Sequence, residues 1–114
     1  MDSSTTDINE LTIRDYIESL RPEDPEIRKE LDYGHSFDGK VAELFALRPV
    51  FDDPNTILQL PFAKVRYFKS KQLWRLYWKR ARGTWEIYEP YPEATHLTPL
   101  LEVVQKDDHG CFFG

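Results

Sequence analysis

Two stretches of this chain hold residue types that could do chemistry. Residues 55 to 85 carry eight Lys/Arg (Lys64, Arg66, Lys69, Lys71, Arg75, Lys79, Arg80 and Arg82) and no acid, with aromatic residues between them. The flanks are the reverse: fourteen Asp/Glu against six Lys/Arg over residues 1 to 54, and six acids against Lys106 alone over residues 86 to 114. Such a block can neutralise phosphates or carboxylates, and any exposed rings in it can stack on bases. The second stretch is Asp107-Asp108-His109-Gly110-Cys111, which offers carboxylate, imidazole and thiol. Those groups are the ingredients of a zinc site, or, with His96 as a further imidazole, of a thiol nucleophile and its base. The spacing is poor for zinc, and no second Cys/His pair stands elsewhere at ligand spacing. The segment therefore reads as the end of a helix, a turn at Gly110, and Phe112-Phe113 folding back onto the core. His35 falls on the apolar parity of its segment and reads as a partly buried structural histidine. No catalytic residue, metal or cofactor is expected. The five glycines stand apart at 34, 39, 83, 110 and 114, so there is no glycine-rich phosphate loop and nucleotide-driven chemistry is not expected.

To position either group the chain must fold, and its composition allows it. Hydrophobic residues make up 40% and aromatic residues 14% of 114 residues, enough to build one core, and the whole of 1–114 reads as one domain. Apolar runs are only a few residues long, and the N-terminus is acidic and Ser/Thr-rich. Neither a membrane span nor a signal peptide is expected. Cys111, the single cysteine, has no internal partner for a disulfide, which points to a reducing cytoplasm.

The elements follow from periodicity and punctuation. Residues 1–6 lack an apolar anchor and read as a frayed tail. Asp7 with Glu10 has the layout of a capping box, and Ile8, Leu11, Ile17 and Leu20, with Tyr16 beside them, recur at helical spacing, which predicts a helix over 7–20. Pro22 and Pro25 end it. Ile27, Leu31, Tyr33 and Phe37 share one parity, which predicts a strand over 27–37, and Asp38-Gly39 turns it into a returning strand over Val41 to Leu47. The Pro- and Asp-rich stretch from Arg48-Pro49 through Pro61 reads as a long surface connection. Strands over Phe62 to Phe68, Leu73 to Arg80 and Trp85 to Glu89 complete a sheet spanning 27–89. Thr98 as cap and Pro99 at the first turn open a helix over 97–106, with Leu97, Leu100, Leu101 and Val104 as its apolar stripe. The expected fold is α+β: a helix, a five-stranded mainly antiparallel meander, and a C-terminal helix packed on one sheet face.

Alternation assigns the faces of that sheet. Ala63, Val65 and Tyr67, then Trp74, Leu76 and Trp78, with Ile87 beside them, are expected in the core. The opposite face then carries Lys64, Arg66, Arg75, Tyr77 and Lys79, flanked by Glu86 and Tyr88.

Leu47-Arg48-Pro49, Pro61 to Tyr67, Leu73 to Trp78, Trp85 to Tyr88 and the terminal Asp108 to Gly114, in that order and spacing, resemble the small bacterial family catalogued as domain of unknown function 3024, over about residues 27–114. The resemblance implies a short cytoplasmic bacterial protein with no assigned activity and no catalytic residues to carry over.

The expected role is therefore a non-enzymatic protein-binding or regulatory module that uses Lys64, Arg66, Arg75, Tyr77, Lys79 and Tyr88 on a cationic sheet face. Single-stranded nucleic-acid binding through the same face is the alternative, and a Cys/His site at the C-terminus a distant one. Against both binding readings stands a plain structural one, in which the cations pair with acids such as Glu30, Asp32, Glu43 and Glu86. Self-association between the oppositely charged segments is compatible with the same sequence.

Overall fold

The structure is a computed structural model that describes residues 7–114; the frayed tail expected over residues 1–6 lies outside the described residues. Helix α1 runs Ile8–Leu20, started by Asp7, whose carboxylate accepts from the Asn9 amide at 2.8 Å. Its inward side is set by Ile13 and Ile17, both buried, while Ile8 is 74% exposed. The helical stripe expected from the sequence included Ile8 and missed Ile13.

The predicted strand over 27–37 is two elements. Asp24 caps a single helical turn, α2 (Pro25–Arg28), with Pro25 at its first position, and Ile27 is exposed on it. Strand β1 begins only at Asp32 and ends at Phe37. Asp38 and Gly39 then make the expected turn: the Asp38 carboxylate accepts from the Lys40 and Val41 amides, and Gly39 has φ +99°. The chain returns as β2 (Val41–Val50).

The expected connection from 49 to 61 is instead a two-stranded arm. Strand β3 runs Asp53–Phe68, and its first half ladders with β2 from Ala46↔Leu60 to Pro49↔Ile57. Strands β4 (Leu73–Lys79), β5 (Trp85–Ile87) and β6 (Glu93–Ala94) follow. Each of β1 to β5 pairs antiparallel with the next, giving an open meander of order β1-β2-β3-β4-β5. Strand β6, unforeseen from the sequence, pairs with β4 at Trp74 and Arg75, so β5 and β6 are two pieces of one interrupted edge. Helix α3 spans Leu97–Lys106, the expected range. Its N-cap is His96, with no side-chain cap bond, rather than Thr98.

Both long helices lie on one face of the sheet. The core joins Ile13 and Ile17 of α1, Leu97, Leu100, Leu101 and Val104 of α3, and Ala42, Leu44, Ala63, Val65, Trp74 and Leu76 of the strands. Tyr67 and Trp78 pack against it, partly buried, as expected. The Tyr16 hydroxyl reaches across to Gln105 at 2.9 Å and ties the two helices. With one layer of helices on one layer of sheet, the molecule measures 46 × 39 × 21 Å, and among the described residues nothing covers the other sheet face.

Candidate functional site

The uncovered face is built by register. Leu44 pairs with Ala63 and Phe45 with Pro61, so Phe62 is an extra residue that turns inward with Ala63. Beyond that bulge the outward rows are set. One row runs Glu43, Lys64, Tyr77, Ile87; the next runs Val41, Arg66, Arg75, Glu93. Lys79 stands opposite Trp85, and Phe68 opposite Leu73, on the same side.

Five of the six residues expected on this face are there: Lys64, Arg66, Arg75, Tyr77 and Lys79. Tyr88 is not. It is 2% exposed, on the helix side of the sheet, with its ring 4.9 Å from that of Phe112. Burial, and then the neighbouring Cys111 and acids Asp108 and Asp107, push its hydroxyl pKa up. The parity of the last strand is the reverse of the expected one. Ile87 faces outward opposite Tyr77, and Glu86 lies on the other side, paired with Arg80 at 2.9 Å. Beyond Ile87, two aromatic residues missing from the expected face belong to it: Phe68, two places beyond Arg66 and so readable from parity, and Trp85, which only the register reveals.

Cations and rings on this face are interleaved. Lys64 Nζ lies 5.4 Å from the Tyr77 ring centre and 5.6 Å from that of Trp85, and Lys79 Nζ also lies 5.6 Å from Trp85. The guanidinium groups of Arg66 and Arg75 lie 5.1 and 4.6 Å from the Phe68 ring. These contacts fix where the cations stand while leaving their charge uncancelled. Among the described residues only Arg75 of the five has a carboxylate within 4.0 Å, that of Glu93 at 3.7 Å. The acids that the plain reading would use are engaged elsewhere or stand off. Asp32 holds Arg21, Glu86 holds Arg80, and Glu43 faces Lys64 in the register without an ion pair.

The C-terminal group is tied up in structure. Asp107 ends α3 at φ +47°, and its carboxylate accepts from the Phe112 and Phe113 amides at 2.9 and 2.8 Å. That clamp inserts Phe112 into the core, while Phe113 lies against Phe62 and stays half exposed. Burial and the Asp107 charge raise the pKa of the Cys111 thiol, which disfavours the thiolate that a nucleophile needs. Among the described residues no three His, Cys, Asp or Glu side chains gather in a metal-binding group, and no helix is long and apolar enough to cross a membrane. His35 sits on the inner side opposite Leu44, partly buried, as expected.

Fold and face together define an open-sided α+β sheet protein, helices on one side and a cationic, aromatic surface bare on the other. The chain belongs to the family described as domain of unknown function (DUF3024), which matches residues 1–114 and so takes in α1 as well as the segment whose residues carry the resemblance. No curated protein and no solved structure matches it.

Proposed function

We propose that this protein is a non-enzymatic binding module whose bare sheet face docks an acidic segment of a partner protein. The observation that carries this reading is the charge left over on that face: Lys64, Arg66 and Lys79 stand in a fixed array without ion pairs among the described residues. Because Lys64 and Lys79 lie over Trp85, and Arg66 and Arg75 over Phe68, the rings support the cations rather than presenting free faces to a base. The bacterial, cytoplasmic setting implied by the resemblance and by the lone cysteine belongs to the same reading. Single-stranded nucleic acid is the second reading, favoured by the presence of Phe68, Tyr77 and Trp85 beside the cations.

The test is fluorescence anisotropy of a labelled glutamate-rich peptide and a labelled oligothymidylate of equal charge, over a salt series, with Arg66→Glu/Lys79→Glu as control. The peptide is expected to bind in a salt-dependent way and to be released by the variant. Tighter binding of the oligonucleotide would transfer the role to nucleic acid. Flat titrations of both would end the proposal.

A further inference from the structure

The bare face does not stop at its cations. On the arm side of the bulge the next outward row runs Gly34, Phe45 and Pro61. Lys79, with Trp85 opposite it, carries that row on, because Pro61 and Lys79 line one cleft of about 490 Å³ where β4 leaves β3. Two further rows lead out along the arm on the same side: Leu47 with Gln59, then Pro49 with Ile57. Phe45 lies over Gly34, so close that a Cβ on the glycine would stand 2.7 Å from the ring. That glycine lets the ring settle onto the sheet and extend the surface. Phe45, Leu47 and Pro61 are partly exposed, and Ile57, at the outer end, is 51% exposed. Outward positions repeat about every 7 Å along a strand, so from Pro61 to Ile57 this apolar strip is about 14 Å long. Cations and strip thus form one continuous surface, divided into a charged half and an apolar half.

The two halves differ in what they give a complex. Ion pairs at an exposed surface are screened by salt and add little affinity, although they steer and orient a partner. Apolar area removed from water adds affinity that salt does not weaken. Beyond the strip the sign reverses, since Asp52 and Asp53 stand at the tip of the arm and turn carboxylates away from that end. From this pattern we infer that the partner's segment is amphipathic rather than merely acidic. Its carboxylates sit over Lys64, Arg66 and Lys79, and about two or three apolar side chains directly beside them lie along Phe45, Leu47, Pro61 and Ile57. The inference rests on the docking role proposed above and names the chemistry of its partner.

The test extends the labelled glutamate-rich peptide with leucines at alternate positions among serines, at its N-terminal end in one peptide and its C-terminal end in another. An all-serine extension is the control. By anisotropy the parent chain is expected to bind the better leucine peptide about tenfold or more tighter than the serine control, and to keep that advantage at high salt. Leu47→Ser/Ile57→Ser should erase the advantage while leaving the serine control bound as before, and Ile57→Ser alone, at an exposed site, should remove part of it with thermal melting unchanged. Arg66→Glu/Lys79→Glu should weaken every peptide. Equal affinity for leucine and serine extensions would overturn the inference and leave the acidic docking role standing, whereas no binding of any peptide would end both. A leucine advantage that survives Ile57→Ser and the double variant would overturn it too. So would self-association of the parent in sedimentation velocity that Ile57→Ser abolishes, because the strip would then belong to a second copy.

Discussion

The inner and outer faces of β3 and β4 differ by one residue of chain and by everything else. Ala63, Val65, Trp74 and Leu76 are at most 3% exposed beneath the helices, while their sequence neighbours Lys64, Arg66, Arg75 and Tyr77 look away from any second layer. One face is defined by shape and the exclusion of water, the other by charges held over rings. Stability therefore belongs to one set of side chains and recognition to the other, and substitutions can separate them.

The sharpest separation is expected from the inner set. Trp74→Ala or Tyr88→Ala should cost about 3–5 kcal/mol in urea denaturation, the range for emptying a buried aromatic site. For Tyr88 a loss below about 1 kcal/mol, typical of an exposed position, would return it to the outer face. Asp107→Ala should cost about 1–3 kcal/mol, because the Phe112 amide, partly buried, and the Phe113 amide both lose their acceptor. That loss should appear without any change in peptide binding.

A smaller effect concerns pH. Arg21 donates to both carboxylate oxygens of Asp32, at 2.9 and 3.1 Å, and holds its pKa below the ordinary carboxylate value. A depressed folded-state pKa contributes stability above the unfolded value of about 3.9 and loses it as pH falls through the folded one. The stability gap between the parent and Asp32→Asn should therefore be level at neutral pH and close as pH drops below about 4, measured by denaturation at each pH. Least of all should be the stability change from Arg66→Glu or Lys79→Glu, within about 0.5 kcal/mol each. A larger loss would mean that the outer cations hold the fold rather than a ligand.

How far the sequence discloses this arrangement depends on how regular each strand is. In β3 and β4 strict alternation places both faces, and the five correctly placed face residues need nothing more. The exception is Phe62, just ahead of that alternation, where the bulge puts two adjacent residues inside. No alternation rule marks that bulge. In β5 the three-residue strand is too short to set its own parity, and Trp85 and Tyr88 are equally aromatic. Only pairing with Lys79 and Tyr77 decides which one turns outward.

The arm shows a different obstacle. Pro49, Pro54 and Pro61 suggest a loop because proline cannot donate to a ladder. Each sits where no donor is needed: Pro49 and Pro54 flank and fill the register shift near the tip, and Pro61 adjoins the bulge on an open edge. Proline there marks irregularity within strands rather than their absence. Helix α2 was hidden for a related reason, since Ile27 and Leu31 fit a period of two as well as a single helical turn.

The contact between Tyr16 and Gln105 joins positions 89 residues apart, whereas every strand from β1 to β5 pairs with its neighbour in sequence. The two layers therefore have different clocks. Hairpins of the meander close through short loops, but the helical layer must bring distant segments together. Without that contact between distant segments the row of Trp74 and Leu76 would face water, and the molecule would have two open faces instead of one.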